Sequence, residues 1–299
     1  MTPFLDELGK RLAERWLATL VVPGVLFLAV ATVAVTLGHG NALDGHDLAT
    51  HTAQWTTAVS HWPVIGQAAA LIAVVLGSIA TATTIRAIAD GAMLRLWLGQ
   101  WPRSLAELHT ARRATRWHRL LAELAARRDV AAPAQRTPEL LRSLENLSAQ
   151  RDRIALATPT TATFTGDRLA GIATRVRNQY GIDLVHCWLR LWVLFPEDVR
   201  AELRTARSRL DTAVTGTTWA AAYAVLACVW WPASIAAVAI GLISWRRGRR
   251  AADDHAALVE STVDLFLPRL AVELGVAEPG SPMDPEIGVR ITRIARKGV

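Results

Sequence analysis

The chain's densest set of metal-ligating side-chain types is His39, Asp44, His46, Asp47 and His51. Imidazole and carboxylate are ligands for divalent transition metals. Their spacing fits no zinc-site pattern, so the cluster reads as a polar loop, with neither metal binding nor histidine-based pH sensing expected. Other chemistries fail for want of their motif. The sequence has no Walker loop, no dinucleotide Gly pattern, no His-Glu-x-x-His, no Cys-x-x-Cys and no nucleophile elbow. The two cysteines, Cys187 and Cys228, fall in segments read as cytoplasmic and as membrane-embedded, so no disulfide is expected. No catalytic, cofactor-binding or metal-ligating residue is assigned, and an enzyme is not expected.

The side chains with a readable chemistry are those that suit a membrane interface. They are Trp188, Arg190 and Trp192 in one short apolar run, and Trp230, Trp231, Trp245, Arg246 and Arg247 around a longer one. Indoles favour the headgroup level, and arginine reaches phosphate while its stem stays in an apolar layer. The element that positions the second set is the stretch 214–245, which contains no charged side chain. A helix apolar on every face is a lipid-exposed helix. The stretch is about 32 residues, roughly 48 Å as helix, against a hydrocarbon layer of about 30 Å. It is too long for one straight span and short for two. Pro232 follows Trp230-Trp231 and suits the first turn of a new helix. The reading is a hairpin, 212–231 out and 232–245 back, with Arg246 and Arg247 snorkelling to extend the second leg. The alternative, one long kinked span, puts the arginines of 246–250 on the opposite side from the Arg-rich middle region, against the positive-inside rule.

Composition agrees with a membrane protein. The chain has 299 residues, 52% of them hydrophobic, and a net charge of +7. Its mean hydropathy is +0.24 and its pI about 10.5. Apolar content together with basicity marks a multi-pass protein with basic cytoplasmic parts. A nucleic-acid partner is excluded, because the charge is spread thinly over helices with no binding motif. Lysine occurs only at Lys10 and Lys297. Arginine and alanine usage of this kind reads as a high-GC bacterial genome, which places the chain in a bacterial cytoplasmic membrane.

Four transmembrane helices are expected in an all-α chain. Residues 1–16 form a short amphipathic cytoplasmic segment with Lys10, Arg11 and Arg15, and 17–38 is the first span. A signal peptide is rejected because the run is too long and a second span follows. The loop 39–62 has no Lys or Arg and lies outside, with Trp55 and Trp62 flanking the re-entry. The second span, 63–85, is rich in small residues, as is the third, 212–231. These faces are candidates for helix packing or homo-oligomer contacts. The fourth span is 232–245. Both termini, the helical region 86–211 and the basic, amphipathic tail 246–299 are cytoplasmic.

Nothing in 86–211 alternates with period two, so only helices are expected there. Residues 86–101 prolong the second span until Pro102. Ser104 and Glu107 form a capping box for a helix to about Asp129, with Trp117, Leu120, Leu121 and Leu124 on one face. A flexible linker, 130–135, precedes Thr137-Pro138-Glu139, which opens a helix striped by Leu140, Leu141, Leu144 and Leu147. The connector 158–166 is Thr-rich, and Gly181 closes a helix over 167–180. The run 183–195 is too short to span. It is either a core helix or a helix in the inner leaflet with Arg190 reaching headgroups. Pro196-Glu197-Asp198 starts a helix that continues through Val199, Leu203, Ala206 and Leu210 into the third span. In the tail, Asp253 and Asp254 begin a helix, kinked at Pro268. Asp284 caps a last one, whose Ile287, Ile291 and Ile294 oppose Arg290, Arg293, Arg296 and Lys297. That helix suits a membrane surface or docking on the cytoplasmic bundle.

Three runs carry a resemblance: Tyr180-Gly181-Ile182-Asp183, then Trp188-Leu189-Arg190-Leu191-Trp192, then Pro196-Glu197-Asp198-Val199-Arg200. Together they resemble a family of uncharacterised bacterial multi-pass membrane proteins with a YG[IL]D…WxRLW…PE motif before a Trp-rich membrane hairpin. The likeness covers roughly 160–297 and departs at Leu189, where the family tends to have proline. It implies a shared architecture for that half and no activity. The spans carry no ionisable residue near their midpoints, which argues against a proton relay or coupled transporter. The expected function is a membrane-anchored interaction or scaffold protein, with an oligomeric pore or membrane-disrupting effector as the alternative. Its expected partners are the lipid bilayer, anionic headgroups and a cytoplasmic protein. No cofactor is expected.

Overall fold

The computed structural model describes residues 21–129 and 137–297. The segment 1–16, the first positions of the 17–38 span and the linker 130–135 lie outside the described residues. Among the described residues every regular element is helical, so the chain is all-α. The order is α1 (Val22–Leu37), α2 (Gly45–Ser60) and α3 (Val64–Ile88), which passes through a π-helical turn (Ala89–Met93) into α4 (Leu94–Trp97). There follow α5 (Arg103–Asp129), α6 (Pro138–Asp152), α7 (Phe164–Tyr180), α8 (Leu184–Leu194), α9 (Glu197–Leu226), α10 (Ala233–Glu273) and α11 (Pro285–Ala295). The chain divides into two compact units, Met1–Met93 with Asp211–Arg246, and Leu94–Leu210 with Arg247–Val299.

The first unit is assembled by small residues. A Cβ on Gly24 of α1 would overlap the Ser78 carbonyl of α3, so these helices touch backbone to backbone. The portions of α9 and α10 in this unit run antiparallel. Gly216 sits against Ser244, and Gly241 against Ala220. Residues 227–232 make the turn between them. Phe27 ties α1 to α9 through Trp219 and Tyr223, with ring centroids 5.6 and 5.2 Å apart. The segment after α1 reaches the hairpin tip, where His39 Nδ1 lies 2.7 Å from the Val229 carbonyl and the Trp230 indole donates to the Ala42 carbonyl at 3.0 Å.

Burial in this unit is inverted relative to a water-soluble core. Ala34, Ser78, Ala82, Ala213, Thr218, Ala220, Ala233 and Ser244 are buried, together with the larger Leu37, Ile85, Val214 and Tyr223, while Leu26, Ile65, Leu71, Ile72, Leu76, Ile235, Val238 and Leu242 are exposed. Hydroxyls fold back onto their own helices: Thr32 donates to Leu28 O, Ser78 to Val75 O, Thr81 to Gly77 O and Thr218 to Val214 O. The run Val64–Trp97, 34 residues, is long and apolar enough to cross a membrane, and Val22–Leu37 is apolar but shorter. The charge-free parts of α9 and α10, 212–226 and 233–245, are 15 and 13 residues, roughly 20 Å of helix each.

The second unit has an ordinary core. Ile182, Leu191, Phe195, Leu203, Val263, Leu267, Leu270 and Ile291 form one buried cluster, and Phe195 meets Phe266 edge-on at 5.1 Å. Large aliphatic and aromatic side chains here are removed from water, the usual driving force for folding. α5 and α6 pack as a helical pair through Trp117, Leu124 and Leu147.

Several boundaries differ from the sequence expectations. The loop 39–62 contains α2, because Asp44 accepts the His46 and Asp47 N–H groups as its N-cap. Ser104 is not a cap. α5 starts at Arg103, and Glu107 pairs with Arg103 at 2.8 Å instead of closing a box. α7 begins at Phe164, three residues early, because the Thr163 hydroxyl caps it through the Gly166 N–H. α10 runs unbroken over Ala233–Glu273 with Pro268 inside it, so Asp253 and Asp254 do not begin a helix. The intervening arginines and alanines are strong helix formers, and nothing between 246 and 252 ends the helix.

Candidate functional site

Charged and hydrogen-bonded side chains of the second unit gather where α7, α8 and α11 meet. α7 ends at Gly181, which adopts a left-handed φ of +68° and donates its N–H to the Arg177 carbonyl. That geometry favours glycine. A Cβ on Gly181 would overlap the Pro285 carbonyl, and one on Gly288 would overlap the Tyr180 carbonyl. α11 therefore crosses the α7–α8 corner at a contact only two glycines permit.

Asp183 organises the corner. Its Oδ1 accepts the Val185 N–H at 3.1 Å and caps α8, while its Oδ2 accepts from Arg296 at 2.6 Å and lies 3.0 Å from His186 Nδ1. Its own N–H donates to the Thr292 hydroxyl at 2.9 Å. Burial pushes the Asp183 carboxyl up, but the bonds from Arg296 and His186 outweigh it and hold it at about 2. Tyr180 donates to Asp264 at 2.8 Å, and burial together with that bond raises the phenol above its ordinary value. Cys187 is fully buried and burial pushes its thiol up, so it is packing material and not a nucleophile.

The expected interface anchors separate into two groups, one in each unit. Arg190 is half-buried and donates to the His186 carbonyl at 3.1 Å and to the Ala295 carbonyl at 3.3 Å. Its partners are peptide oxygens, one of them at the negative end of α11. Trp188 and Trp192 pack half-buried against the core. Their centroids lie 6.1 Å apart, and 5.9 and 6.2 Å from Phe195. The outward face of α8 belongs instead to Val185, Leu189 and Val193, which are 77%, 71% and 71% exposed. Their spacing of four residues was visible in the sequence but hidden by the attention that tryptophan draws. In the first unit, Trp230 is pinned to Ala42, and Trp231, Trp245 and Arg246 are exposed. Arg247, exposed too, belongs to the second unit.

The His/Asp segment is built into local structure. Asp44 caps α2, Asp47 accepts from Asn41 at 3.0 Å, and His39 faces Val229. Among the described residues no group of three or more His, Cys, Asp or Glu side chains is set to hold a metal ion.

A second cluster, which sequence reasoning missed, fastens the Thr-rich connector to α5. Arg113 donates to the Thr161 carbonyl, to Asp167 and to the Ile154 carbonyl, each at 2.6 Å. Asp167 Oδ1 accepts the Thr160 and Thr161 N–H groups at 2.8 and 2.6 Å. The Trp117 indole donates to Ala155 at 2.9 Å. A cavity of about 230 Å³ lies beside this connector, lined partly by Arg168 and Arg175. Both arginines are engaged, Arg168 with Asp253 at 3.0 Å and Arg175 with Glu260 at 2.5 Å. These arrangements join helices; none sets a nucleophile beside a base.

Comparison with protein-family models, curated proteins and solved structures finds no match to this chain.

Proposed function

We propose that the chain is an integral protein of a bacterial cytoplasmic membrane, anchored by its first unit and binding a cytoplasmic protein through its second. The observation that carries this reading is the inverted burial of the first unit, mostly small residues inside and most of its large Leu, Ile and Val side chains outside. In lipid there is no hydrophobic drive between helices, so close packing of small residues holds them together and large aliphatics face the acyl chains. The back-bonded hydroxyls fit the same solvent, which offers them no water. α1, α3 and the two hairpin legs are the four membrane helices. The short legs are completed by Arg246 and Arg247 reaching the headgroups, with Trp230 and Trp231 at the opposite interface. Both termini and the second unit are then cytoplasmic. Exposed Leu105, Leu108 and Leu141 on α5 and α6 supply apolar contact for a protein partner.

The competing reading is an oligomeric pore. What favours it is the N-terminal half of α3, where Ala68, Ala69 and Ala73 are exposed beside the large aliphatics and are free to pack against another copy. Conductance of the purified chain in planar bilayers decides between the two. The anchored-scaffold reading requires a silent bilayer, and sustained, concentration-dependent conductance assigns the chain to the pore class.

A further inference from the structure

α8 has one face in the core of its unit and the other exposed. Val185, Leu189 and Val193 form a continuous aliphatic ridge along the exposed face. Exposing such a ridge to water costs roughly 25 cal/mol for each Å² left uncovered. No acidic side chain lies on α8, and the carboxylate of Asp183 ahead of it is taken by Arg296 and His186. Arg190 links α8 to the C-terminal turn of α11 through the Ala295 carbonyl. There, Arg290, Arg293 and Lys297 are all exposed, and α11's one acid, Glu286, is at the far end of that helix.

We propose that this α8–α11 face is a lipid-docking surface for an anionic bilayer. The ridge enters the interfacial layer, and Arg290, Arg293 and Lys297 meet headgroup phosphates. Charge complementarity selects this occupant: an exposed aliphatic ridge on α8, and exposed cations on the C-terminal part of α11 that Arg190 ties to it, match a layer that is apolar beneath and negative above. The inference rests on the membrane reading of the first unit, and its test separates the two.

The full chain, carrying Cys228→Ser, takes a single fluorophore at Leu189→Cys; Cys187 is buried and does not compete. It is reconstituted in vesicles of equal parts phosphatidylcholine and phosphatidylglycerol, or of phosphatidylcholine alone, each with nitroxide-bearing lipid. The control positions are Leu71→Cys on α3 and Glu107→Cys on α5. Docking predicts quenching at Leu189 in the anionic vesicles that falls with salt and in phosphatidylcholine, and none at Glu107. Replacing Arg293 and Lys297 by alanine lowers the docked-to-free ratio roughly fivefold per charge, with Leu71 unaffected. If Leu71 is quenched but Leu189 stays open to water, docking is wrong and the membrane reading stands. If Leu189 is shielded from water yet not quenched, protein covers the ridge and docking is wrong. If Leu71 is not quenched, both fail.

Discussion

Asp183 shows how a single carboxylate holds three helices, because it caps α8 and receives His186 of that helix, pairs with Arg296 at the C-terminal end of α11, and lies 3.8 Å from Arg177 of α7. Its carboxyl is held at about 2, well below the usual carboxylate range. A group whose pKa is lowered by folding stabilises the folded state above the unfolded value and loses that contribution as pH falls through the folded one. Docking of α11 should therefore be intact above about pH 4 and weaken as the pH falls through about 2, measured as hydrogen exchange of the 285–295 amides. Asp183→Asn should cost about 2 kcal/mol at neutral pH, since Arg296 loses its charged partner, and should flatten that acid transition. A variant with wild-type protection at neutral pH refutes the assignment. Gly288→Val should be worse than either, because its side chain meets the Tyr180 carbonyl. We expect loss of α11 protection with the rest of the second unit still folded. At this scale the sequence was partly legible. Tyr180-Gly181-Ile182-Asp183 stood out as a pattern, and Gly181 as a helix stop. The partners Pro285, Thr292 and Arg296 lie about a hundred positions away, and nothing local points to them.

Among the elements, those with local stop and start signals were readable. Thr137 caps α6, Gly181 closes α7 and Asp284 caps α11 as their residue types predict. Pro196 and the acids after it open α9 at Glu197. α2 falls in the segment read as a polar loop from its His and Asp side chains, although Asp44 and Asp47 signal a helix start. The Arg113–Asp167 clamp was illegible, since α5 and the connector meet only in the fold. The clamp makes a firm prediction for the connector. Both side chains are nearly buried, at 12% and 9% exposure. Arg113→Ala leaves Asp167 without its counter-charge, a loss of about 3 kcal/mol for a buried pair. Limited proteolysis should then cut within 153–163 at least tenfold faster, with α8 and α11 still protected. Unchanged cleavage shows that Trp117 and the Thr–Asp167 bonds hold the connector without Arg113.

At the scale of the whole molecule, the two units differ in what they bury and in how much charge they carry. The second buries Phe195, Leu191, Leu267 and Ile291. The first buries mostly alanine, serine and threonine, with Ile85, Val214 and Tyr223 among them, and turns most of its large aliphatic side chains outward. Hydropathy along the sequence revealed which stretches are apolar, but the direction in which their large side chains point emerges only from the packing of Gly24 on Ser78 and Gly216 on Ser244. The central claim is that the first unit is folded for lipid. Extraction of membranes from expressing cells with alkaline carbonate tests it most directly. A lipid-embedded first unit keeps the full chain in the sedimented membranes and releases it only with detergent. Recovery of the full chain in the carbonate supernatant, monodisperse without detergent, would contradict it.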